Sequence, residues 1–514
     1  MKQFPIRKPA SVYIKNSDEY VGKQMYRLDG EDAEVSLKEK KPDKVLIVGA
    51  GPAGLTLGLR LSEAGVPVEI IEADDRVGGL CKTIHFKGCY FDLGGHRFIT
   101  KDKNIQSFLE KLMGDDLLVR PRKSIICLKD KKIAYPVNAK DIVSKLGLKF
   151  STQAFLDYFL TSTLQRFYPR LDSSFEQWVI NRYGVTLYNF YFGPYSKKLW
   201  GIKPCQISHR WAEQRILLLN LGDVIAKMLW KKGNSPPTYA HQFCYPKNGI
   251  GQIFEKIAEK ITVLGGAIRV SSGLSKVKVS GDKIISISYR TSGGAIKETS
   301  GDYIINTAPL PSFINMLSCN DNGNNEEITE NSHYRSIRFM NVCLDLPSIT
   351  DNTWIYVPES EIVFFRIQEL RNWSPTVVPE GKTALTLEIA CDYNDKIWKM
   401  PEDELWQLCY RGLVRLGLLK SNNVLWYFSS YARHAYPIYY LDYEKNVNKM
   451  YFYISKIKNL RCIGRQGLFR YNNMDHSIKM GLLTAEHILN GYPFSEVMKI
   501  ATEHAIFDWQ DPGK

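Results

Sequence analysis

The chain is short of acid: 54 Asp and Glu stand against 68 Lys and Arg in 514 residues, for a net charge of +14. It also lacks any C-x-x-C pair. Its ten cysteines are scattered, which argues against a disulfide scaffold and against a zinc centre. His241 and Cys244 stand close together, but no second pair matches them, so no metal is expected. No run of about 18 apolar residues occurs, so no membrane-spanning helix is expected. Residues 1–42 are polar and mixed in charge, without the apolar centre of a signal peptide. They read as an N-terminal arm, and a cytoplasmic location is expected. There is no internal repeat and no low-complexity tract. The 44% hydrophobic and 24% charged residues are ordinary for globular chains and exclude disordered or collagen-like classes. The basic surplus asks for an anionic partner: nucleic acid, an acidic membrane or a phosphorylated small molecule. The basic residues form no long stripe and no nucleic-acid module, so nucleic acid is set aside.

What is present begins at residues 44–49 (KVLIVG), an apolar run of the length and branching of a buried parallel strand. A glycine-rich turn, a helix over 53–64 and a second strand over 68–72 (VEIIE) complete a βαβ unit. Residues 135–239 change character. Phe155, Phe159, Leu164, Phe167, Trp178 and Tyr183 recur at helical spacing, which predicts packed amphipathic helices with a buried face. A membrane-surface face is the alternative. Strands return over 267–270, 277–279, 284–289 and 303–306, with a turn at Gly281–Asp282. Residues 337–440 alternate over short strands, with one helix over 402–416. A last strand over 460–463 precedes a glycine-bearing loop and a closing helix over 481–489.

Gly49-Ala50-Gly51-Pro52-Ala53-Gly54 is G-x-G-x-x-G between strand and helix. Gly49 allows the tight turn, Gly51 admits a pyrophosphate to the backbone, and Gly54 lets helix and strand pack closely. The helix start offers free N–H groups to phosphate. Glu72 ends the second strand, placed to accept from a ribose. Strand, turn, helix and distal acid agree on dinucleotide binding.

After Glu72 the chain reads Ala73-Asp74-Asp75-Arg76-Val77-Gly78-Gly79. This E-A-x-x-R-x-G-G stretch resembles the second FAD signature of the flavoprotein superfamily that holds amine oxidases, protoporphyrinogen oxidase, phytoene desaturases and UDP-galactopyranose mutases. The resemblance implies FAD rather than NAD, with Arg76, Gly78 and Gly79 near its pyrophosphate. It implies an α/β fold with a discontinuous Rossmann-type FAD-binding domain (43–134, 240–335 and 441–514), a helical domain (135–239) and an antiparallel substrate-binding sheet domain (336–440).

Further stretches resemble the mutase branch. Phe91-Asp92-Leu93-Gly94-Gly95-His96 resembles its D-x-G-G-H segment, which lies against the flavin ring. Pro194-Tyr195-Ser196-Lys197-Lys198-Leu199-Trp200 resembles its P-Y-x-x-K-x-W segment at the substrate border. Arg215 stands at the position of an arginine that contacts diphosphate. Trp200 reads equally as a core anchor. Trp354-Ile355-Tyr356-Val357-Pro358, then Phe364-Phe365-Arg366, then Asn372-Trp373-Ser374-Pro375 resemble the eukaryotic-type pattern, which implies a diphosphate contact for Arg366 beside Tyr356. Tyr436-Pro437 matches a further diphosphate tyrosine. Residues 464–477 (GRQGLFRYNNMDHS) resemble the flavin-binding loop. This implies roles for Gly464, Asn473, Met474, Asp475 and Ser477 at the cofactor, and for Arg465 and Tyr471 beside flavin and diphosphate. The mutases' N-W-G-P-N segment has no clear counterpart, so contacts to the base are not carried over.

The resemblance implies a pyranose–furanose interconversion of a nucleotide sugar with reduced flavin N5 as covalent nucleophile, and His96, Arg366 and Arg465 as catalytic residues. NADPH or NADH is a candidate reductant. A net FAD-dependent oxidoreductase, acting in polysaccharide or other biosynthesis, is the alternative.

Overall fold

The computed structural model describes residues 41–128, 131–135, 139–168, 170–215, 242–318, 325–420 and 423–502. Most of the expected arm and the closing residues of the chain lie outside these.

The apolar run at the start forms strand Val45–Val48, buried along its whole length. It is the centre of a five-stranded sheet ordered Leu460–Cys462, Tyr303–Asn306, Val45–Val48, Val68–Ile71, Ala267–Arg269. Every neighbouring pair is parallel. Parallel strands need covering on both faces, hence their unbroken apolar sequence. Helix Pro52–Glu63 has proline in its first turn, where a missing N–H costs nothing. It packs against helices Gly251–Val263 and Met474–Asn490. The closing helix starts earlier than expected, because Asn473 caps it: its N–H donates to His476 Nδ1 at 3.3 Å in a reciprocal capping box.

A seven-stranded sheet forms the second layer. Its order is Val424–Pro437, Tyr334–Leu344, Thr383–Cys391, Arg366–Glu369, Trp354–Tyr356, Ser124–Leu128, Lys131–Tyr135. Two expectations change here. The sheet is mixed rather than purely antiparallel, because Trp354–Tyr356 runs parallel to Ser124–Leu128. Its last two strands come from the stretch assigned to the nucleotide domain, which ended at 134. Pairing between segments some 230 residues apart, as in Thr353 N–H to Lys123 O at 3.0 Å, leaves no local signal in the pattern.

Side chains alternate across this sheet. Ile367, Leu385, Leu387 and Ile389 share a core with Leu405, Trp406 and Leu413 of helix Glu402–Arg415. Arg366, Gln368 and Glu388 stand on the other face. That face also carries Ile337 and Phe339, which join the helical layer through Phe175, Trp178 and Trp200.

The helical layer holds Leu148–Phe167, Phe175–Leu187, Gly193–Trp200 and His209–Arg215. Trp178 and Tyr183 are buried as expected. Phe155, Phe159, Leu164 and Phe167 are not: all four are exposed. Periodicity marks a face of a helix but says nothing of what lies against it. Here the other side packs inward, where Asp157 accepts from Thr186 N–H at 2.6 Å. Among the described residues no helix is long and apolar enough to cross a membrane.

Candidate active site

The first half of the site is the glycine turn. A Cβ on Gly54 would stand 2.1 Å from Gly49 O, so helix and strand touch there. A Cβ on Gly51 would meet nothing within 4 Å. The space in front of Gly51 opens at the start of helix Pro52–Glu63, whose N-cap is Gly51 and carries no capping side chain. Gly78 N–H donates to Ala50 O at 2.8 Å and brings the second glycine pair over the first. Glu72 holds this turn in shape: its carboxylate accepts from Ala50 N–H at 2.6 Å and from Asp74 N–H at 2.9 Å. Burial nevertheless raises the Glu72 pKa, with those two N–H groups acting the other way. Arg76 donates to Asp75 and to the Thr83 carbonyl, both at 3.3 Å.

The arrangement fits a dinucleotide cofactor. A free helix N-terminus and an open glycine suit a pyrophosphate. Just before helix Met474–Asn490, Asn472 Nδ2 and Arg465 Nε are buried with no partner among the described residues, so both can donate to a bound cofactor. Gly464 opens this loop with φ +80°. Met474 and Asp475 begin the helix, and Ser477 Oγ donates to Asn473 O at 3.2 Å. Burial lifts the Asp475 carboxyl to about 7, against a hydrogen bond from Thr100.

The Gly94–Gly95–His96 loop enters from the other side. Gly94 has φ +89°, and a Cβ there would come within 3.4 Å of Glu388 Oε2. Gly95 lies against Trp354 and Trp373. His96 Nδ1 is 3.1 Å from Gly94 O. Burial, with Arg465 and Arg366 nearby, brings the His96 pKa down to about 4. The ring is therefore neutral at pH 7. A carbonyl can only accept, so Nδ1 carries the proton and Nε2 presents a lone pair.

The charge sits on the seven-stranded sheet. Arg366 and Glu388 are direct cross-strand partners. Arg366 Nε donates to Glu388 Oε1 at 2.6 Å and Nη2 to Oε2. Gln368 Nε2 donates to the same carboxylate. Nη2 also reaches the Tyr436 hydroxyl at 3.3 Å, and the guanidinium lies 4.3 Å from the Trp354 ring centre. Burial works against the Arg366 charge, but Glu388 and Tyr436 outweigh it and lift its pKa. Tyr436 stacks on Tyr471, with centroids 5.2 Å apart. Arg465 lies over both rings, at 5.0 and 4.2 Å, and is anchored by donating to Ala435 O and Asn472 O. Tyr195 and Tyr356 meet edge to face at 6.0 Å.

His96, Arg366, Arg465, Tyr195, Tyr356, Tyr436 and Tyr471 thus gather in one region. Two expected substrate residues, Lys198 and Trp200, do not enter it as free groups. Lys198 Nζ donates to the carbonyls of Val357, Glu359 and Phe364 at 2.9, 2.7 and 2.7 Å. It ties down the loop that leads into Arg366, and its N–H groups are occupied there. Burial brings its pKa to about 7. Trp200 is a core residue, 1% exposed, packed edge-on to Trp211 and Tyr436. The side chain of Arg215 lies outside the described residues. Glu388 was not foreseen. Its signal was an acid inside the apolar run TALTLEIAC, the same signal that singled out Arg366 in its strand.

A layered α/β fold with a dinucleotide cradle facing a basic and aromatic sheet face defines a flavoprotein class. The family model of flavin-containing amine oxidoreductases matches residues 52–446, and the chain belongs to that family. Over 70 residues it is 41% identical to an L-amino-acid oxidase of Crotalus adamanteus, covering 14% of each chain. Over 56 residues it is 45% identical to a phytoene desaturase of Neurospora crassa, covering 11% of this chain and 9% of that one. The match thus spans about a seventh or less of these curated relatives. Among solved structures, a reduced UDP-galactopyranose mutase superposes with TM-score 0.77 at 22% identity, covering 90% of this chain and 100% of that one. A putrescine oxidase with bound putrescine gives TM-score 0.57 at 18% identity, covering 87% and 99%. These structural likenesses are of fold.

Proposed function

We propose that the protein is an FAD-dependent mutase of nucleotide sugars, interconverting their pyranose and furanose forms. The observation that carries this reading is the clustering of Arg366, Arg465, Tyr436 and Tyr471, with a neutral His96 near the two arginines. Guanidinium forks and phenol hydroxyls suit the oxygens of a diphosphate. Reduced FAD, when bound at the glycine cradle, supplies a nucleophilic N5 and lets the reaction run without net redox change. The cradle residues Gly49, Gly51, Gly54, Arg76, Gly78 and Gly79 would hold the cofactor's pyrophosphate, and Glu72 would accept from the adenosine ribose. Gly94, Gly95, Gly464 and residues 473–477 would line the flavin. Arg366, Arg465 and the tyrosines hold the departing diphosphate close to the sugar, so that recombination outruns escape. His96 Nε2 offers an acceptor for a sugar hydroxyl proton beside the flavin. NADPH or NADH serves as reductant, and the enzyme works in the cytoplasm.

The test uses reduced holoprotein with a panel of nucleotide sugars, beginning with UDP-galactopyranose, and chromatography for the furanose form. Product should accumulate with no further reductant consumed. Reductant or oxygen used in step with product would overturn the mutase reading. One observation favours the net oxidoreductase instead: the Arg366 charge is already matched by Glu388. That reading predicts stoichiometric flavin reduction by an amine-like or apolar substrate.

A further inference from the structure

Helix Leu148–Phe167 carries an outward apolar face that the proposed reaction does not use. Leu148, Phe155, Leu156, Phe159, Leu160 and Phe167 are all exposed, Leu148 and Phe167 to 70% and Phe159 to 55%. Their spacing follows the helical repeat, so they form one stripe. The helix has 20 residues, about 30 Å of length at 1.5 Å per residue. Single exposed apolar side chains need no explanation, but a contiguous stripe marks an interaction surface.

The charges around the stripe indicate what it meets. Lys149 is exposed at one end and Arg170 at the other. The helix contains one acid, Asp157, and that carboxylate faces inward to Thr186 N–H. Asp172, just beyond the helix, is paired with Arg182 at 2.8 Å. The stripe is thus mainly apolar, interrupted by the exposed Thr152 and Thr163, basic at both ends and free of outward acid. Two copies packed about a dyad would bring like charges together in either orientation, since both ends are positive. An acidic lipid surface would meet the apolar stripe and both basic ends at once.

We propose that this helix lies in the interface of an anionic lipid bilayer, parallel to its plane, and holds the protein there reversibly. Tyr168, exposed at the end of the helix, suits the headgroup level. The chain would sit on the membrane rather than cross it, in keeping with the absence of a spanning helix among the described residues.

The experiment is co-sedimentation of full-length holoprotein with phosphatidylcholine vesicles, with and without phosphatidylglycerol. Binding should require the anionic lipid and fall with added salt. Lys149→Glu should weaken it about fivefold or more, the worth of one basic side chain near such a surface. Phe159→Glu should weaken it at least about tenfold, because a charge replaces an inserted ring. Both positions are exposed, so flavin content and melting temperature should stay at wild-type values. Equal binding to neutral vesicles overturns the proposal, as does binding that Phe159→Glu leaves unchanged. No vesicle binding also overturns it, whether the protein is a monomer or a dimer that Phe159→Glu dissociates.

Discussion

Arg366 and Glu388 face each other across neighbouring strands, guanidinium fork to carboxylate, with Glu388 only 1% exposed. A buried pair of this kind fixes geometry more than it adds stability. Glu388 sets the plane of the guanidinium, Trp354 flanks it, and Tyr436 meets its remaining edge. The Gly94 loop rests on the same carboxylate. One acid therefore packs against the Gly94 loop and aligns the arginine of the sheet.

Removing either member should destabilise the fold, and Arg366 should also be needed for turnover. Arg366→Ala is expected to lower turnover of nucleotide sugar by about 10²-fold, the scale of one lost transition-state donor, with flavin absorbance per protein unchanged. Wild-type turnover would remove Arg366 from the diphosphate site. Glu388→Gln leaves the arginine buried without its counter-charge, and should destabilise by about 3 kcal/mol in denaturant melts. Adding Arg366→Met to Glu388→Gln should recover much of that loss.

The glycine turn allows a contrast within four residues. Gly54→Ala puts a methyl group against Gly49 O at 2.1 Å, so the helix must move and the protein should melt lower with or without flavin. Gly51→Ala meets no protein atom within 4 Å. It should leave the melting temperature of the flavin-free protein nearly unchanged while flavin affinity drops at least about tenfold, because the methyl group occupies the phosphate's place. Equal flavin affinity in Gly51→Ala would mean that the pyrophosphate lies elsewhere.

Asp475 gives a pH signature. Burial raises its carboxyl to about 7 from an ordinary 3.8. Between those values the folded chain binds a proton that the unfolded chain has released. Its contribution is therefore full below about pH 4 and lost as pH rises to 7. Asp475→Asn removes the titration. The melting temperature of the variant minus that of wild type should climb across pH 4 to 7 and level off above. A flat difference would show that Asp475 is ionised at no cost.

Lys198 allows a structural role to be separated from a substrate role. Lys198→Met leaves the carbonyls of Val357, Glu359 and Phe364 without their donor, and should destabilise by about 1–3 kcal/mol. Lys198→Arg should not restore it, since a planar fork cannot present three N–H groups from one atom. A raised KM with an unchanged melt would instead return Lys198 to the substrate.

The nucleotide half of the molecule was legible because its signals are local. A parallel strand must be apolar throughout, and Val45–Val48 and Val68–Ile71 are. A helix that receives phosphate must open on glycine, and the one after Gly51 does. The sheet opposite was less legible, because Ser124–Leu128 joins Trp354–Tyr356 through contacts no window of sequence spans. The site followed the same division. Arg366 was visible as a charge inside an apolar strand. Its partner Glu388 carried an equal signal, yet its meaning depends on register between two strands. The carbonyl contacts of Lys198 were not legible, because a lysine that binds an anion and one that ties down carbonyls look alike in sequence. The stripe from Leu148 to Phe167 was read as core for a related reason: spacing reports direction, and only packing reports cover.

The five-stranded sheet draws its strands from residues 45–48, 68–71, 267–269, 303–306 and 460–462. At a ribosome adding about 5–20 residues per second, its first and last strands emerge roughly 20–80 s apart. Until then Tyr303–Asn306 has an open edge where Leu460–Cys462 will pair, and the floor of the cofactor cradle is incomplete. Truncation anywhere before residue 460 should therefore abolish flavin loading.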